Sequence, residues 1–248
     1  YRTLESASST FKLDYFADAN RTITANKVRQ SEINFMIDYT PNRKMVGYGV
    51  DRIEVDLNYP RFFVNYSQGL KGVLDSDFSY SKLQLFYRQP LLIGGFGRLF
   101  TTIEVGKTFG TVPLGLMGII PGNQSYFIID NTYNLLNYYD FVADQYSSLH
   151  IEHNFNGRLF SRVPMLRKLN WREIIGFKAV YGSVSPENKA INASGLNYIA
   201  PVDGYFEYHA GIGNIFKVAR IDCAWRGSYF DLPDARKLTI RVGFGFYF

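Results

Sequence analysis

Three observations predict an all-β protein, and specifically an antiparallel transmembrane β-barrel. Apolar and polar residues alternate in about ten or eleven segments, which is the period of a β-strand. The 19 tyrosines and 21 phenylalanines accompany a mean hydropathy just below zero, as expected where lipid-facing and lumen-facing residues alternate. Residues 237–248 alternate without a fault and end on an aromatic residue. Periodicity alone leaves a soluble β-sandwich open as the alternative, because solvent would also accommodate the polar face.

The predicted strands follow one another with turn residues between them. They span residues 11–17, 31–39, 52–59, 61–67, 81–89, 98–105, 144–155, 171–181, 205–212, 218–229 and 237–248. Pro60 cannot donate to a β-ladder, so residues 51–67 form either one bent strand or two. Spans of about 9–11 residues are what a tilted strand needs to cross a bilayer. We find no convincing helix, because glycines and prolines interrupt even the longest charge-free run, residues 108–129.

The charge balance gives little support to a nucleic-acid partner. Lysine and arginine number 27 against 22 aspartate and glutamate, so the net charge is 27 − 22 = +5. No run of five like charges concentrates that excess, and we expect no nucleic acid to bind. The single cysteine, Cys223, excludes an internal disulfide and a cysteine-based metal cluster.

Charged residues lie on the polar face of nearly every predicted strand. In a membrane barrel this face lines a wet lumen. The residues that we assign to the lumen are His150, Glu152, Arg172, Lys178, Glu207, His209, Arg220, Asp222, Arg226 and Arg241.

The alternating pattern lapses over residues 106–139. A loop of this length is rare in compact domains and is usually functional. It is too apolar for a solvated linker, so we predict that it folds into the barrel as a lumen plug.

No catalytic motif is present, and we expect neither an enzyme nor a bound cofactor or metal. The sequence has no Gly-x-Ser-x-Gly, His-Glu-x-x-His or phosphate-binding glycine loop. His150 and His209 share the polar face with carboxylates. They either line the lumen as ordinary polar residues, which is the simpler interpretation, or form part of a hydrolytic site. Arg167, Lys168 and Arg172 flank Trp171, either as a solvated strand end or as a contact for anionic lipid head groups.

The end of the chain resembles the sorting signal with which outer-membrane barrels commonly end. The matching residues are Arg241, Gly243, Phe246 and Phe248. The resemblance implies that a barrel-assembly machinery recognises the last strand and that the protein resides in the bacterial outer membrane.

A longer stretch resembles a family of Bacteroidota outer-membrane proteins of unknown function, in which a barrel follows a carboxypeptidase-regulatory-like β-sandwich. The matching parts are residues 137–157, 163–173 and 80–113, with the motif Gly106-Lys-Thr-Phe-Gly-Thr-Val-Pro113. The resemblance covers residues 59–248.

That family's barrel is similar to the barrel of the BamA/TamA superfamily, whose members insert or export proteins at the outer membrane. Residues 206–248 suit the end of such a barrel. A barrel of about sixteen strands needs more chain than these 248 residues, so we expect the C-terminal part of a larger barrel. The superfamily's Arg-Gly-aromatic loop tip is absent from residues 106–139.

Three functions remain open at this point. The first is an integral outer-membrane barrel in protein assembly, protein transport or envelope biogenesis, with lipid and other envelope proteins as partners. The second is a passive channel or structural barrel, and the third is a barrel hydrolase.

Overall fold

A computed structural model describes residues 1–5, 14–18, 20–49, 53–54, 58–193 and 198–245. Within these residues, nine strands form one antiparallel sheet. The strands are β1 (Glu32–Tyr39), β2 (Arg61–Gly69), β3 (Tyr80–Leu92), β4 (Arg98–Phe109), β5 (Gln145–Asn154), β6 (Arg172–Ser183), β7 (Tyr205–Ile215), β8 (Ala219–Arg226) and β9 (Leu238–Phe244). The prediction of an all-β antiparallel fold is therefore confirmed.

The order of the strands in the sheet is their order in the chain. Each strand pairs only with its sequence neighbours, and β1 and β9 do not pair with each other in the described residues. Strand pairing continues in register over long stretches, for example from Arg98↔Leu92 to Phe109↔Ser81 between β4 and β3. The described sheet is thus an open meander.

Connections at the two ends of the sheet differ. At the end that we call the Trp171 end, a 3₁₀ turn (Gly94–Phe96) joins β3 to β4. The β5–β6 connection there contains a 3₁₀ turn (Phe160–Arg162) and helix α1 (Pro164–Arg167). The opposite end, which we call the core end, carries residues 110–144 and the β6–β7 connection with helix α2 (Pro186–Ile191).

Short strand pairs and turns complete the secondary structure of the described residues. The pairs are Arg2–Glu5 with Lys27–Gln30, Tyr15–Phe16 with Thr24–Ala25, Met45–Val46 with Ile53–Glu54, and Gly118–Ile119 with Val142–Ala143. Two further 3₁₀ turns span Val73–Asp75 and Leu114–Leu116. No described helix is long and apolar enough to cross a membrane.

On β7, β8 and β9, the two faces of the sheet have the reverse of the usual burial. On β9, Ile240 and Phe244 are 61% and 70% exposed, whereas Arg241 between them is only 2% exposed. The same alternation continues on β8, where Arg220 and Asp222 are buried and Ile221 is exposed. We call these the polar face and the outer face. In a soluble protein the charged side chains would be mostly exposed and the large apolar ones mostly buried, so this arrangement is unusual.

The apolar core lies between the sheet and the residues at its core end. One cluster contains Val112, Leu114, Leu116 and Val142, and a second contains Ile120, Leu136, Phe141 and Tyr205. Residues 110–141 supply four of the nine buried residues of the first cluster and four of the six of the second, and we call them the covering segment. The protein buries its apolar side chains mainly where this segment folds over the sheet.

Several predicted boundaries need correction. Residues 106–109 belong to β4 rather than to the long loop, because they pair with β3 as far as Phe109. The ring of Tyr146, the cross-strand partner of Gly106 on β5, packs over this glycine. Of the predicted strand 11–17, only Tyr15–Phe16 is a described strand, and residues 11–13 lie outside the described residues. Ile53–Glu54 and β2 are separate strands, with residues 55–57 of the prediction outside the described part.

Candidate functional site

The polar face is a continuous surface that crosses β5 to β9. Direct cross-strand partners share a face of a sheet, and the register aligns His150, Lys178, Glu207 and Arg226 in one row. The residues that the sequence assigned to the lumen all lie on this face: His150, Glu152, Arg172, Lys178, Glu207, His209, Arg220, Asp222, Arg226 and Arg241. They divide into three groups according to what they contact.

The first group holds the backbone of the covering segment, and Glu207 is its centre. The fully buried Glu207 carboxylate accepts hydrogen bonds from the backbone N–H groups of Asn134 at 2.7 Å and Leu135 at 3.1 Å. The Tyr205 hydroxyl donates to the same carboxylate at 3.0 Å. Lys178 lies 3.9 Å from it, which balances its charge.

Three arginines donate hydrogen bonds to backbone carbonyl groups of the same segment. Arg226 Nη2 donates to the Leu135 carbonyl at 2.7 Å. Arg241 Nη2 donates to the carbonyls of Asn123 and Asn134, at 2.7 and 2.6 Å. Arg236, which precedes β9, donates to the carbonyls of Asn123 and Leu136. An irregular buried backbone thus has its polar groups satisfied by side chains of the sheet rather than by water.

Further contacts complete this anchorage. Lys178 Nζ donates to the Thr132 carbonyl at 2.6 Å. The Tyr133 hydroxyl donates to the Ala179 carbonyl at 2.7 Å, and its ring packs edge-on against His150. Burial raises the pKa of the Tyr133 phenol, so this hydroxyl keeps its proton and remains a donor. The polar face therefore recognises a peptide chain mainly through main-chain groups.

The second group is a charge network beside the covering segment. Arg220 donates to both oxygens of Glu152, at 3.0 and 2.6 Å, and to both oxygens of Asp222, at 2.7 and 2.6 Å. His209 Nε2 lies 3.3 Å from Glu152 Oε2. A cavity of about 110 Å³ adjoins this network. Such charge-assisted, two-pronged pairs fix the side chains rigidly.

Neither histidine has the surroundings of a catalytic base. In the described residues no hydroxyl or thiol is hydrogen bonded to His150 or His209, and His150 Nε2 and His209 Nδ1 have no partner. Over the same residues, no cluster of three histidine, cysteine or carboxylate side chains is placed to hold a metal. Among the described residues, neither histidine is therefore paired with a hydroxyl or thiol that it could activate.

Arg172 forms the third group alone. It lies at the Trp171 end, where it lines a cavity with Arg167 and Lys217. Of the predicted sorting-signal residues, Arg241 and Gly243 lie in β9, and Phe246 and Phe248 lie outside the described residues.

The outer edge of β9 contacts the covering segment directly. Val242 N–H donates to the Tyr126 carbonyl at 2.9 Å, and Ile128 N–H donates to the Val242 carbonyl at 2.9 Å. Phe127 therefore forms a one-residue parallel bridge with Val242. The other edge of β9 pairs with β8 in register from Phe244 to Leu238. The sequence pattern predicted neither this bridge nor the role of Arg236, because neither one alters the alternation of apolar and polar residues.

These features define an all-β protein whose sheet presents charged groups inward to its own covering segment. The model of a family described as "Family of unknown function (DUF5686) C-terminal domain" matches residues 6–188. The match covers more than half of the chain, so the chain belongs to this family. It begins closer to the amino terminus, and ends earlier, than the resemblance over residues 59–248 that the sequence suggested. No curated protein and no solved structure matches the chain.

Proposed function

We propose that this chain forms part of an integral outer-membrane β-barrel that handles polypeptide during envelope assembly or transport. The single observation that carries the proposal is the reversed burial of the sheet. Charged side chains of the polar face are buried on β7, β8 and β9, and large apolar side chains of the outer face are exposed at both ends of the sheet, from Ile33 and Phe35 on β1 to Ile240 on β9. In water, an exposed apolar surface of that extent is unfavourable, whereas a bilayer covers it.

The outer face has the composition that lipid contact requires. Its exposed residues include Ile33, Phe35, Leu85, Ile103, Val105, Ile175, Tyr208, Ile221, Trp225, Leu238 and Ile240. Phe177, Tyr208 and Trp225 pack across consecutive strands, with ring centroids 5.4 and 6.4 Å apart. Aromatic rows of this kind are typical of barrels at the membrane interfaces.

Two contacts of the covering segment support a role in handling polypeptide. The polar face already holds one peptide stretch through main-chain hydrogen bonds, as described for Glu207 and Arg241. Among the described residues, a single bridge, at Val242, occupies the outer edge of β9. A strand edge held so weakly is a site where an incoming strand adds by backbone pairing.

Membrane integration is the first test. Ile240→Arg places a charge near the middle of β9 on the outer face, at an expected cost of about 2–4 kcal/mol in a bilayer. We expect the unmodified chain to float with phosphatidylcholine vesicles after an alkaline wash, and the variant to be lost from that fraction. Ile240→Val, which keeps the face apolar, is the matched control. A chain that stays monomeric in buffer without lipid or detergent contradicts the proposal.

The transport role is tested separately from membrane insertion. Depletion in the source bacterium is expected to lower the amounts of other outer-membrane proteins. The passive-channel alternative makes a different prediction, because the covering segment then acts as a plug over the polar face. In that case, replacing residues 122–136 with a glycine-serine linker raises single-channel conductance, and depletion leaves other outer-membrane proteins unchanged.

A further inference from the structure

A half-open cavity of about 740 Å³ lies at the Trp171 end, between the β5–β6 connection and the β7–β8 turn. Arg167, Arg172 and Lys217 line it, and Phe160 and Trp171 form part of its apolar wall. No carboxylate is among its lining residues. The cavity thus combines three cations with an aromatic surface and no anion to balance them.

The three cations have no protein partner within the described part of the chain. Neither Arg167, Arg172 nor Lys217 makes a side-chain hydrogen bond or ion pair there. The neighbouring carboxylate, Glu173, accepts a hydrogen bond from the backbone N–H of Phe160 instead. Three unpaired cations around one cavity attract a ligand of negative charge.

The positive surface continues beyond this cavity. A second cavity of about 480 Å³ shares Arg172 and adds Arg98 and Arg158. The Arg158 guanidinium lies over the Phe96 ring at 4.1 Å and donates to the Gly95 carbonyl at 2.6 Å. Arg172 therefore stands between two basic recesses, and the ligand favoured at this end of the sheet is anionic.

Apolar side chains flank the basic cavity and point to a membrane rather than to a soluble anion. Met165 is 83% exposed, next to Leu166 and Arg167 of the cavity wall, and Phe216 is 89% exposed, next to Lys217. Met165 lies in α1, Phe216 directly follows β7, and at the same end of the sheet Ile175 of β6 is exposed on the outer face. Exposed apolar groups beside cations and a tryptophan are the pattern of a membrane interface.

We propose that this cavity binds the head group of an anionic phospholipid. The guanidinium groups of Arg167 and Arg172 suit the two-pronged recognition of phosphate oxygens, and Lys217 adds a third charge. Met165 and Phe216 would lie among the acyl chains beside the bound head group. The inference rests on the proposed membrane location, and it adds a lipid class and a binding site to it.

A fluorescence titration tests the site. The chain has two tryptophans, so a Trp225→Phe background leaves Trp171 as the reporter beside the cavity. In uncharged detergent micelles, short-chain phosphatidylglycerol is expected to change Trp171 emission saturably, and high salt is expected to weaken the effect. Zwitterionic phosphatidylcholine is expected to bind more weakly.

Variants at the cavity make the test specific. Arg167→Gln combined with Lys217→Gln is expected to weaken phosphatidylglycerol binding about tenfold or more, because each removes an unpaired cation. Lys168→Gln is the matched control, since Lys168 is equally exposed but does not line the cavity. The double variant is expected to fold normally, because neither side chain contributes a hydrogen bond or ion pair within the described residues.

Three results would overturn the site. They are equal binding of the two lipids, unchanged phosphatidylglycerol binding by the double variant, or binding of soluble glycerol 1-phosphate as tightly as of the lipid. Vesicle flotation reports separately on the proposed function. A chain that enters no vesicle contradicts the membrane proposal, while the micelle titration still decides whether the head-group site exists.

Discussion

Arg241 donates a hydrogen bond from Nη2 to the backbone carbonyl of Asn134, at 2.6 Å and across 107 positions of sequence. The contact joins the last described strand to the covering segment. Arg241 also holds the Asn123 carbonyl, so one side chain fixes two turns of that segment. The charged residue that resembled part of a sorting signal has a structural role of its own.

Replacing Arg241 with alanine is expected to lower the free energy of unfolding by about 3 kcal/mol, because two buried carbonyls lose a charged donor. Urea unfolding in detergent micelles measures the change, and limited proteolysis shows whether residues 122–136 become accessible. Lys237→Ala is the control, since Lys237 is exposed and precedes the same strand. Equal stability and equal proteolysis of the two variants would contradict the anchoring role.

The contact at the edge of β9 gives a second prediction. Ile128→Pro removes the N–H that donates to the Val242 carbonyl, and proline also disfavours the bridge geometry. Hydrogen exchange at the Val242 amide is expected to accelerate at least tenfold as the bridge opens. Ile129→Pro, one residue further on, removes no described backbone hydrogen bond and is expected to leave that rate nearly unchanged.

Gly176 gives a third prediction, because its cross-strand partner His209 lies directly over it. A Cβ at Gly176 would overlap the imidazole ring and push it away from Glu152. Gly176→Ala is expected to destabilise the protein by about 1–3 kcal/mol. Gly213→Ala is the matched substitution on the same face, where the nearest atom, Ile174 Cδ1, lies 3.1 Å from the new Cβ. A smaller loss at Gly176 than at Gly213 would contradict the packing.

The Tyr133 phenol predicts a pH dependence. Burial raises its pKa in the folded protein above the unfolded value of about 10. The folded state then holds the proton more tightly, so this stabilisation is complete below about pH 10 and falls as the pH rises above it. Tyr133→Phe is expected to cost about 1 kcal/mol at neutral pH through the lost bond to Ala179 and to flatten the alkaline decline. Tyr126→Phe, at an exposed position of the same segment, is expected to leave the slope unchanged.

The sheet was largely predictable because its two faces differ sharply in chemistry. Alternation identified β7, β8 and β9, since a shift of one residue would bury Trp225 or Ile240 and expose Asp222 or Arg241. It could not show that β4 reaches Phe109, because Gly106 and Lys107 interrupt the pattern, whereas β3 pairs with β4 through Phe109 and the Tyr146 ring packs over Gly106.

For the covering segment, the sequence predicted a long apolar stretch that folds against the rest of the protein, but not the groups that hold it in place. Its position depends on backbone carbonyls and N–H groups that Glu207, Arg226, Arg236 and Arg241 contact. Main-chain groups are the same at every residue, so such contacts leave no trace in a residue pattern. The short pair of Arg2–Glu5 with Lys27–Gln30 was missed for a related reason, because four residues are too few to establish a period.

The order of the strands also sets an order of events in folding. The β3–β4 and β7–β8 pairs are joined by short turns, so these hairpins form from local contacts. The covering segment is different, because all of the strands that anchor it, β6 to β9, follow it in the chain. Its binding surface is complete only when the last strand has joined. Protease resistance of residues 122–136 therefore marks the moment at which folding is finished.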